Sequence, residues 1–315
     1  MSVNKQKIIQ LCSDINKKEG EGTIYSIGSK HANLKINRWS TGIEDLDAII
    51  GGGIPEGRVI EIFGPESSGK TTLLYHLMGM NDLALDIPVE GTFDADRASV
   101  FGNRPKQLLV YRARFGEDAL NKTIQFAKAG IPIIGIDSVP SLVPKEDAEK
   151  VLKSSDKDSI EEQRIGGTAR LLNKYLPTIE EIIEVTGTSI IFINQVRDKM
   201  NAMMFGEKTD TPGGRKLKHS ASLRIQVARR AWIEIPNKNP KNSASTEKVG
   251  FIMKCKVVKS KVCNPMGECE IPCFFDRGFV SFADVKEIRK ELMRQRAEQF
   301  GRRIRDISLE DEDEE

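Results

Sequence analysis

Arg58-Val59-Ile60-Glu61-Ile62-Phe63-Gly64-Pro65-Glu66-Ser67-Ser68-Gly69-Lys70-Thr71-Thr72 is the stretch on which the fold turns. A short apolar run of strand character leads into Gly-x-x-x-x-Gly-Lys-Thr, and Leu73-Leu74-Tyr75-His76-Leu77 continues with helical character. Strand, loop and helix in that order are the context a phosphate-binding loop requires. Gly64 and Gly69 let backbone N–H groups turn inward, and the start of the next helix adds the positive end of its dipole. The nine residues Gly64, Pro65, Glu66, Ser67, Ser68, Gly69, Lys70, Thr71 and Thr72 would cradle a nucleoside triphosphate. Lys70 would reach the β and γ phosphates and Thr71 would ligate Mg2+.

Working outward, residues 107–111, 131–136 and 188–193 are further apolar runs, and helical periodicity fills 117–129 and 168–185 between them. Continuous apolar strands alternating with helices predict a mostly parallel sheet covered on both faces. Strands are also expected at 222–228 and 249–262, around a polar loop at 236–248, with a C-terminal helix at 284–300. Near the start, Ile8, Leu11, Cys12 and Ile15 fall on one helical face, and Thr23-Ile24-Tyr25-Ser26-Ile27 has the β-branched and aromatic content of a strand. That pair has little to bury against unless it docks elsewhere.

A triphosphate hydrolase needs an acid beside its metal at the end of a buried strand, and Ile133-Ile134-Gly135-Ile136-Asp137-Ser138 supplies Asp137. It also needs a carboxylate to orient the attacking water. Glu90 is the candidate, with Asp94 and Asp96 as competitors close by.

Composition narrows the classes. The 315 residues are 39% apolar and 30% charged, enough for one large α/β core. Neither a membrane-length apolar run nor the apolar stretch of a secretion signal is visible, so the expectation is a cytoplasmic protein with no membrane partner. The net charge of +2 conceals six consecutive acids at 310–315, without which the chain would carry +8. Basic residues cluster at 286–305, and no acid lies between Thr211 and Ile233. A basic surface beside an acidic tail suits a polyanion binder, although a solvated helix face has the same composition. Cys255, Cys263, Cys269 and Cys273 are separated by 7, 5 and 3 residues, without a Cys-x-x-Cys knuckle. That segment alternates like paired strands, which argues against zinc.

Ser40-Thr41-Gly42, Gly57-Arg58, Glu61-Ile62, residues 64–72, Ile136-Asp137-Ser138-Val139, Phe192-Ile193-Asn194-Gln195-Val196-Arg197 and Lys256-Val257-Val258-Lys259-Ser260-Lys261 together resemble, in order, the bacterial RecA recombinases. The resemblance spans about residues 5–283. It implies a RecA-like P-loop ATPase core (31–283) with an N-terminal helix-strand arm (1–30) that docks on a neighbouring subunit. A short C-terminal helical appendage (284–309) and an acidic tail (310–315) would follow. It implies that Glu90 activates water and that Gln195 senses the γ-phosphate and couples it to a DNA-binding loop. Lys259 and Lys261 would reach the ATP of the adjacent subunit, and Asp94 and Arg97 would lie beside the nucleotide. Two loops, at about 149–167 and 197–214, would hold single-stranded DNA through Ile165, Gly166, Arg170, Asn173, Arg197, Lys199, Met200, Gly213 and Gly214. The implied cofactors are ATP and Mg2+. The implied partners are single-stranded DNA, homologous double-stranded DNA, further copies in a helical homo-oligomer, a single-strand-binding protein and a self-cleaving repressor.

The chain departs from that pattern in places. Arg97 stands where the family has a tyrosine on adenine, and His219 replaces a phenylalanine. The first loop is longer, and only 32 residues follow Ala283 where the family has a larger lobe. Two other readings compete: an ATP-binding paralogue that assists another recombinase without exchanging strands, and a ring-forming motor, which shares the phosphate loop but against which the Lys259 and Lys261 pair argues.

Overall fold

Asn4, whose Oδ1 accepts from the Lys7 N–H at 3.2 Å, caps the first helix, α1 (Lys5–Glu19). The computed structural model describes residues 4–26, 36–91, 93–153, 158–198, 209–236 and 246–312. It divides into a unit of residues 1–37 and a unit of residues 38–315. In the first, Ile8 and Leu11 of the apolar face of α1 are exposed. The strand expected at 23–27 is absent from its described residues, 23–26. A strand exists only where a second one completes its ladder. Here the backbone of Ile24 instead exchanges two 2.8 Å hydrogen bonds with the Asn16 side chain.

The second unit runs β1 (Arg38–Trp39), α2 (Glu44–Ile50), β2 (Ile54–Pro55), β3 (Val59–Gly64), α3 (Lys70–Gly79), β4 (Ala84–Pro88), α4 (Ala95–Val100), β5 (Leu108–Val110), α5 (Gly116–Lys128) and β6 (Ile133–Asp137). It continues with α6 (Lys145–Lys153), α7 (Asp158–Thr186), β7 (Ser189–Gln195), β8 (Arg197–Asp198), β9 (Thr209–Asp210), α8 (Gly214–Ser220), β10 (Leu223–Pro236), β11 (Thr246–Ser260), β12 (Glu268–Phe274), β13 (Gly278–Phe279) and α9 (Val285–Glu312). Nine strands form one sheet in the order β13-β12-β11-β10-β3-β7-β6-β4-β5. The pairings from β10 to β5 are all parallel, and those from β13 to β10 antiparallel.

Helices cover both faces, as continuous apolar strands demand. Leu46, Leu74 and Ala98, from α2, α3 and α4, pack with Ile60 and Ile62 on one face. Leu120, Leu172 and Leu217, from α5, α7 and α8, pack with Ile134 and Phe192 on the other. Leu292 of α9 joins Ile233, Ile235 and Phe274 in a smaller cluster beyond the main core. Among the described residues no helix is long and apolar enough to cross a membrane, and no group of three or more His, Cys, Asp or Glu could hold a metal ion. All five cysteines are free thiols.

Several expectations about segment bounds need correction. The segment expected as a loop at 149–167 is helical over its described residues up to Lys153 and again from Asp158. Glu161, Glu162, Gln163 and Arg164 are strong helix formers that outweigh the Gly166-Gly167 pair. Gly167 is small for a packing reason: a Cβ there would collide with the Asp147 carboxylate and the Pro144 ring. The strand expected at 222–228 runs on to Pro236, and residues 246–248 of the expected polar loop are already strand. The remainder of that loop, 237–245, lies outside the described residues. Helix α9 likewise continues past 300 into the acidic tail.

Candidate functional site

Parallel strands place all their carboxyl ends on one side of a sheet, and ligand sites of α/β folds lie there. The phosphate loop leaves β3, Glu90 follows β4, Asp137 ends β6 and Gln195 ends β7. Four segments far apart in sequence are thereby brought to one place.

Gly69 takes a left-handed conformation (φ +91°) as the N-cap of α3, and a Cβ there would lie 2.6 Å from Met253 Cε and 2.9 Å from Phe251 Cζ. Only glycine meets both demands. Lys70 is buried, and its ammonium donates to the Pro65 carbonyl at 2.7 Å and the Gly64 carbonyl at 3.2 Å. Burial holds its pKa below the ordinary lysine value, against the pull of Asp137 and Glu90. Thr71 Oγ1 donates to Asp137 Oδ2 at 2.6 Å. Burial pushes the Asp137 carboxyl upward even though this hydrogen bond favours its anion. Glu90 Oε1 accepts from the Ser138 hydroxyl and, at 3.4 Å, from Gln195 Nε2.

The side chains fit the groups the motif implies. A hydroxyl and a carboxylate, both hard oxygen donors, are the ligand type Mg2+ takes. Ser68 Oγ is buried in the loop without a hydrogen-bond partner among the described residues, a donor ready for a phosphate oxygen. Beyond the loop a cleft of about 480 Å3 opens, lined by Thr72, Tyr75, Phe93, Asp94, Arg97, Arg229, Trp232, Phe251 and Phe275 as well as the loop itself. Asp94 caps α4, its Oδ1 accepting from the Arg97 N–H at 2.9 Å, and Arg97 Nη2 donates to Thr72 Oγ1 at 2.6 Å.

The remaining expected residues lie elsewhere. The Lys259 ammonium donates to the carbonyls of Lys218, His219 (3.0 Å) and Ala221 (2.8 Å), closing the C-terminal end of α8. Burial first, then Lys261 and Arg224, lower its pKa to about 8. Lys261 is exposed, and its N–H donates to the Ser222 carbonyl. Gly166, Arg170 and Asn173 are exposed at helical spacing on α7. Arg197 pairs with Asp210 where β8 meets β9, and Gly213 and Gly214, both at positive φ, start α8. Lys199 and Met200 lie outside the described residues, as does the side chain of Ile165.

Sequence reasoning missed Ser138 as the partner of Glu90, and missed Arg229, Trp232, Phe251 and Phe275 as cleft residues. Ser138 carried a signal, because its hydroxyl directly follows the strand-end acid, beside the segment that leaves the neighbouring strand towards Glu90. The others come from the distant β10–β11 hairpin and from the end of β12 and carried none.

The RecA N-terminal domain family model matches residues 6–280. "Protein RecA" of Campylobacter hominis is 34% identical over 292 residues, covering 90% of this chain and 79% of the relative. The proteins of that name from Sulfurimonas denitrificans and Chlamydia abortus are 36% and 35% identical, covering 88% of this chain and 77% and 76% of their own lengths.

Proposed function

Since this chain belongs to the RecA family, we propose that it is an ATP-dependent DNA recombinase, which assembles as a helical filament on single-stranded DNA and exchanges strands with a homologous duplex. The observation that carries this reading is the convergence of the Thr71–Asp137 pair and the Ser138–Glu90–Gln195 cluster at the mouth of the phosphate loop. Binding a nucleotide needs the loop alone. Hydrolysing one in response to DNA needs a base and a sensor, roles we assign to Glu90 and Gln195.

Lys70 supplies a cation to the β and γ phosphates, replacing its two carbonyl partners. Thr71 and Asp137 would hold Mg2+, which would neutralise phosphate charge. Glu90, fixed by Ser138, accepts a proton from the attacking water. Gln195 links that carboxylate to β8 and β9, the stem of the 197–214 segment. The cations and backbone N–H groups of that segment, together with the Arg170 side chain on α7, contact DNA phosphates without regard to sequence. Lys259 and Lys261 act on the nucleotide of a neighbouring subunit.

The protein, mixed with ATP, Mg2+ and single-stranded DNA, is expected to hydrolyse ATP faster than without DNA, to form helical filaments by electron microscopy, and to yield joint molecules with a homologous duplex. Lys70→Ala should abolish nucleotide binding, whereas Glu90→Gln should bind ATP and hydrolyse it poorly. Failure of both filament formation and DNA-stimulated hydrolysis would refute the reading. Hydrolysis and filaments without joint molecules would show a paralogue that does not exchange strands.

A further inference from the structure

Charges on one face of the sheet hold β11 and β12 in register. Lys256 stands opposite Glu268 and Lys254 opposite Glu270, and the Lys254 ammonium lies 3.1 Å from Glu268 Oε1. Opposite charges across a ladder support its pairing. That register decides what the residues between them meet: Cys255 faces Cys269 directly, and both side chains lie on the other face. Cys255 is buried in the main core, and Cys269 packs against that core half-buried. Opposed residues of an antiparallel pair have Cα atoms about 4.5–5.5 Å apart, inside the roughly 4.4–6.8 Å that a disulfide spans.

The two thiols are unlike. Hydrogen bonding to Cys269 and then burial push the Cys255 thiol up. A buried thiol of that kind is inert by itself. Cys269 is within reach of solvent: β13 pairs only with Cys273 and Phe274, so at Cys269 β12 is the outermost strand among the described residues. The neighbouring cysteines are engaged elsewhere. Cys263 Sγ donates to Ser260 Oγ at 3.0 Å, and Cys273 stands opposite Phe251 and Phe279. Packing alone asks for small apolar side chains and is indifferent to their chemistry. Two sulfurs in direct register, one sealed and one at the sheet edge, add a reaction.

We propose that Cys255 and Cys269 form a peroxide-sensitive dithiol, which closes to a cross-strand disulfide within the folded chain. A hydroperoxide transfers one oxygen to the Cys269 sulfur, giving a sulfenic acid and releasing its own remainder as alcohol or water. The Cys255 sulfur then displaces the hydroxyl group, which leaves as water with the Cys255 proton. Two thiols are oxidised and one peroxide is reduced. The new bond encloses residues 256–268, and Lys259 and Lys261 lie within that loop, so it restrains the segment that carries both.

The test treats the reduced, folded protein with hydrogen peroxide, weighs it, alkylates the remaining thiols and maps every cysteine by mass spectrometry. The chain should lose two hydrogen atoms, with Cys255 linked to Cys269 and with Cys12, Cys263 and Cys273 alkylated. Cys263→Ser should form the same bond. Cys269→Ser, a change at a half-buried position, should keep all its remaining thiols, whereas Cys255→Ala should leave Cys269 as a sulfenic acid that dimedone traps. A bond to Cys263 or Cys273, a bond between two chains, or a Cys255–Cys269 bond that forms only after urea unfolds the protein would each overturn the proposal. So would treated protein that keeps all five thiols.

Discussion

Asp86 lies in β4, 1% exposed, with Oδ1 lacking a hydrogen-bond partner among the described residues. Burial, with a smaller contribution from Asp137, pushes its carboxyl up from 3.8 to about 8. The folded protein therefore holds this group as a neutral acid at pH 7, and the unfolded chain ionises it near pH 4. Between those limits the unfolded state binds fewer protons, so stability falls as pH rises, by about 1.4 kcal/mol per pH unit. From pH 5 to pH 9 the loss should reach about 4 kcal/mol, a large share of the roughly 5–15 kcal/mol that holds a domain together. Asp86→Asn keeps the shape and removes the titration. Urea unfolding of both proteins at pH 5, 7 and 9, with m-values compared, reads the effect directly. The variant should gain on the native chain steadily with pH and level off above about pH 8. Two stability curves running parallel across this range would show that Asp86 is hydrated or paired in solution, and the argument from its burial would fail.

Three further outcomes follow from the same geometry. Arg224→Ala strips the guanidinium, 2.5 Å away, from the fully buried Glu61 carboxylate; unfolding measurements should show a loss of about 3–5 kcal/mol, and less than about 1 kcal/mol would mean that Asn194 alone satisfies the acid. Gly69→Ala meets both a left-handed backbone and the Met253 and Phe251 side chains; calorimetry should find nucleotide binding lost, with tight binding refuting the packing argument. Ser138→Ala removes the hydroxyl that holds Glu90; kcat for ATP should fall about tenfold or more with little change in nucleotide affinity, and an unchanged kcat would make that contact incidental.

The phosphate loop and Asp137 were legible because their signals are local: strand, loop and helix are contiguous, and the acid directly follows its strand. Strand β4 was not, because Asp86 and Pro88 interrupt its apolar pattern, and only the pairings with β5 and β6 make them strand residues. The first ten residues of α7 were hidden by a glycine pair whose smallness serves a neighbouring helix. The placing of Trp232 in the cleft was beyond reach for a sharper reason. Sequence alternation assumes an unbroken pleat, and one extra residue at Arg230 reverses the face of everything after it.

The contacts around Glu90 differ in strength, and the difference bears on how the site would respond to its ligand. Asn194 is fixed: its amide donates to Glu61 Oε1 at 2.8 Å and to the Pro212 carbonyl at 2.9 Å, and its Oδ1 accepts from the Gln195 N–H at 2.9 Å. Arg224, which holds the other oxygen of Glu61, also reaches Thr211. The end of β7 and the return of the 197–214 segment are thus tied to one buried ion pair. Gln195 is the exception. Its backbone belongs to that anchored layer, but its side chain touches Glu90 only at 3.4 Å, near the limit for a hydrogen bond. Exchanging so weak a contact costs little, whereas moving Asn194 would leave a buried carboxylate short of a donor. A ligand oxygen beside Glu90 would therefore move the Gln195 side chain first, and any larger rearrangement would have to begin after Gln195 in the chain.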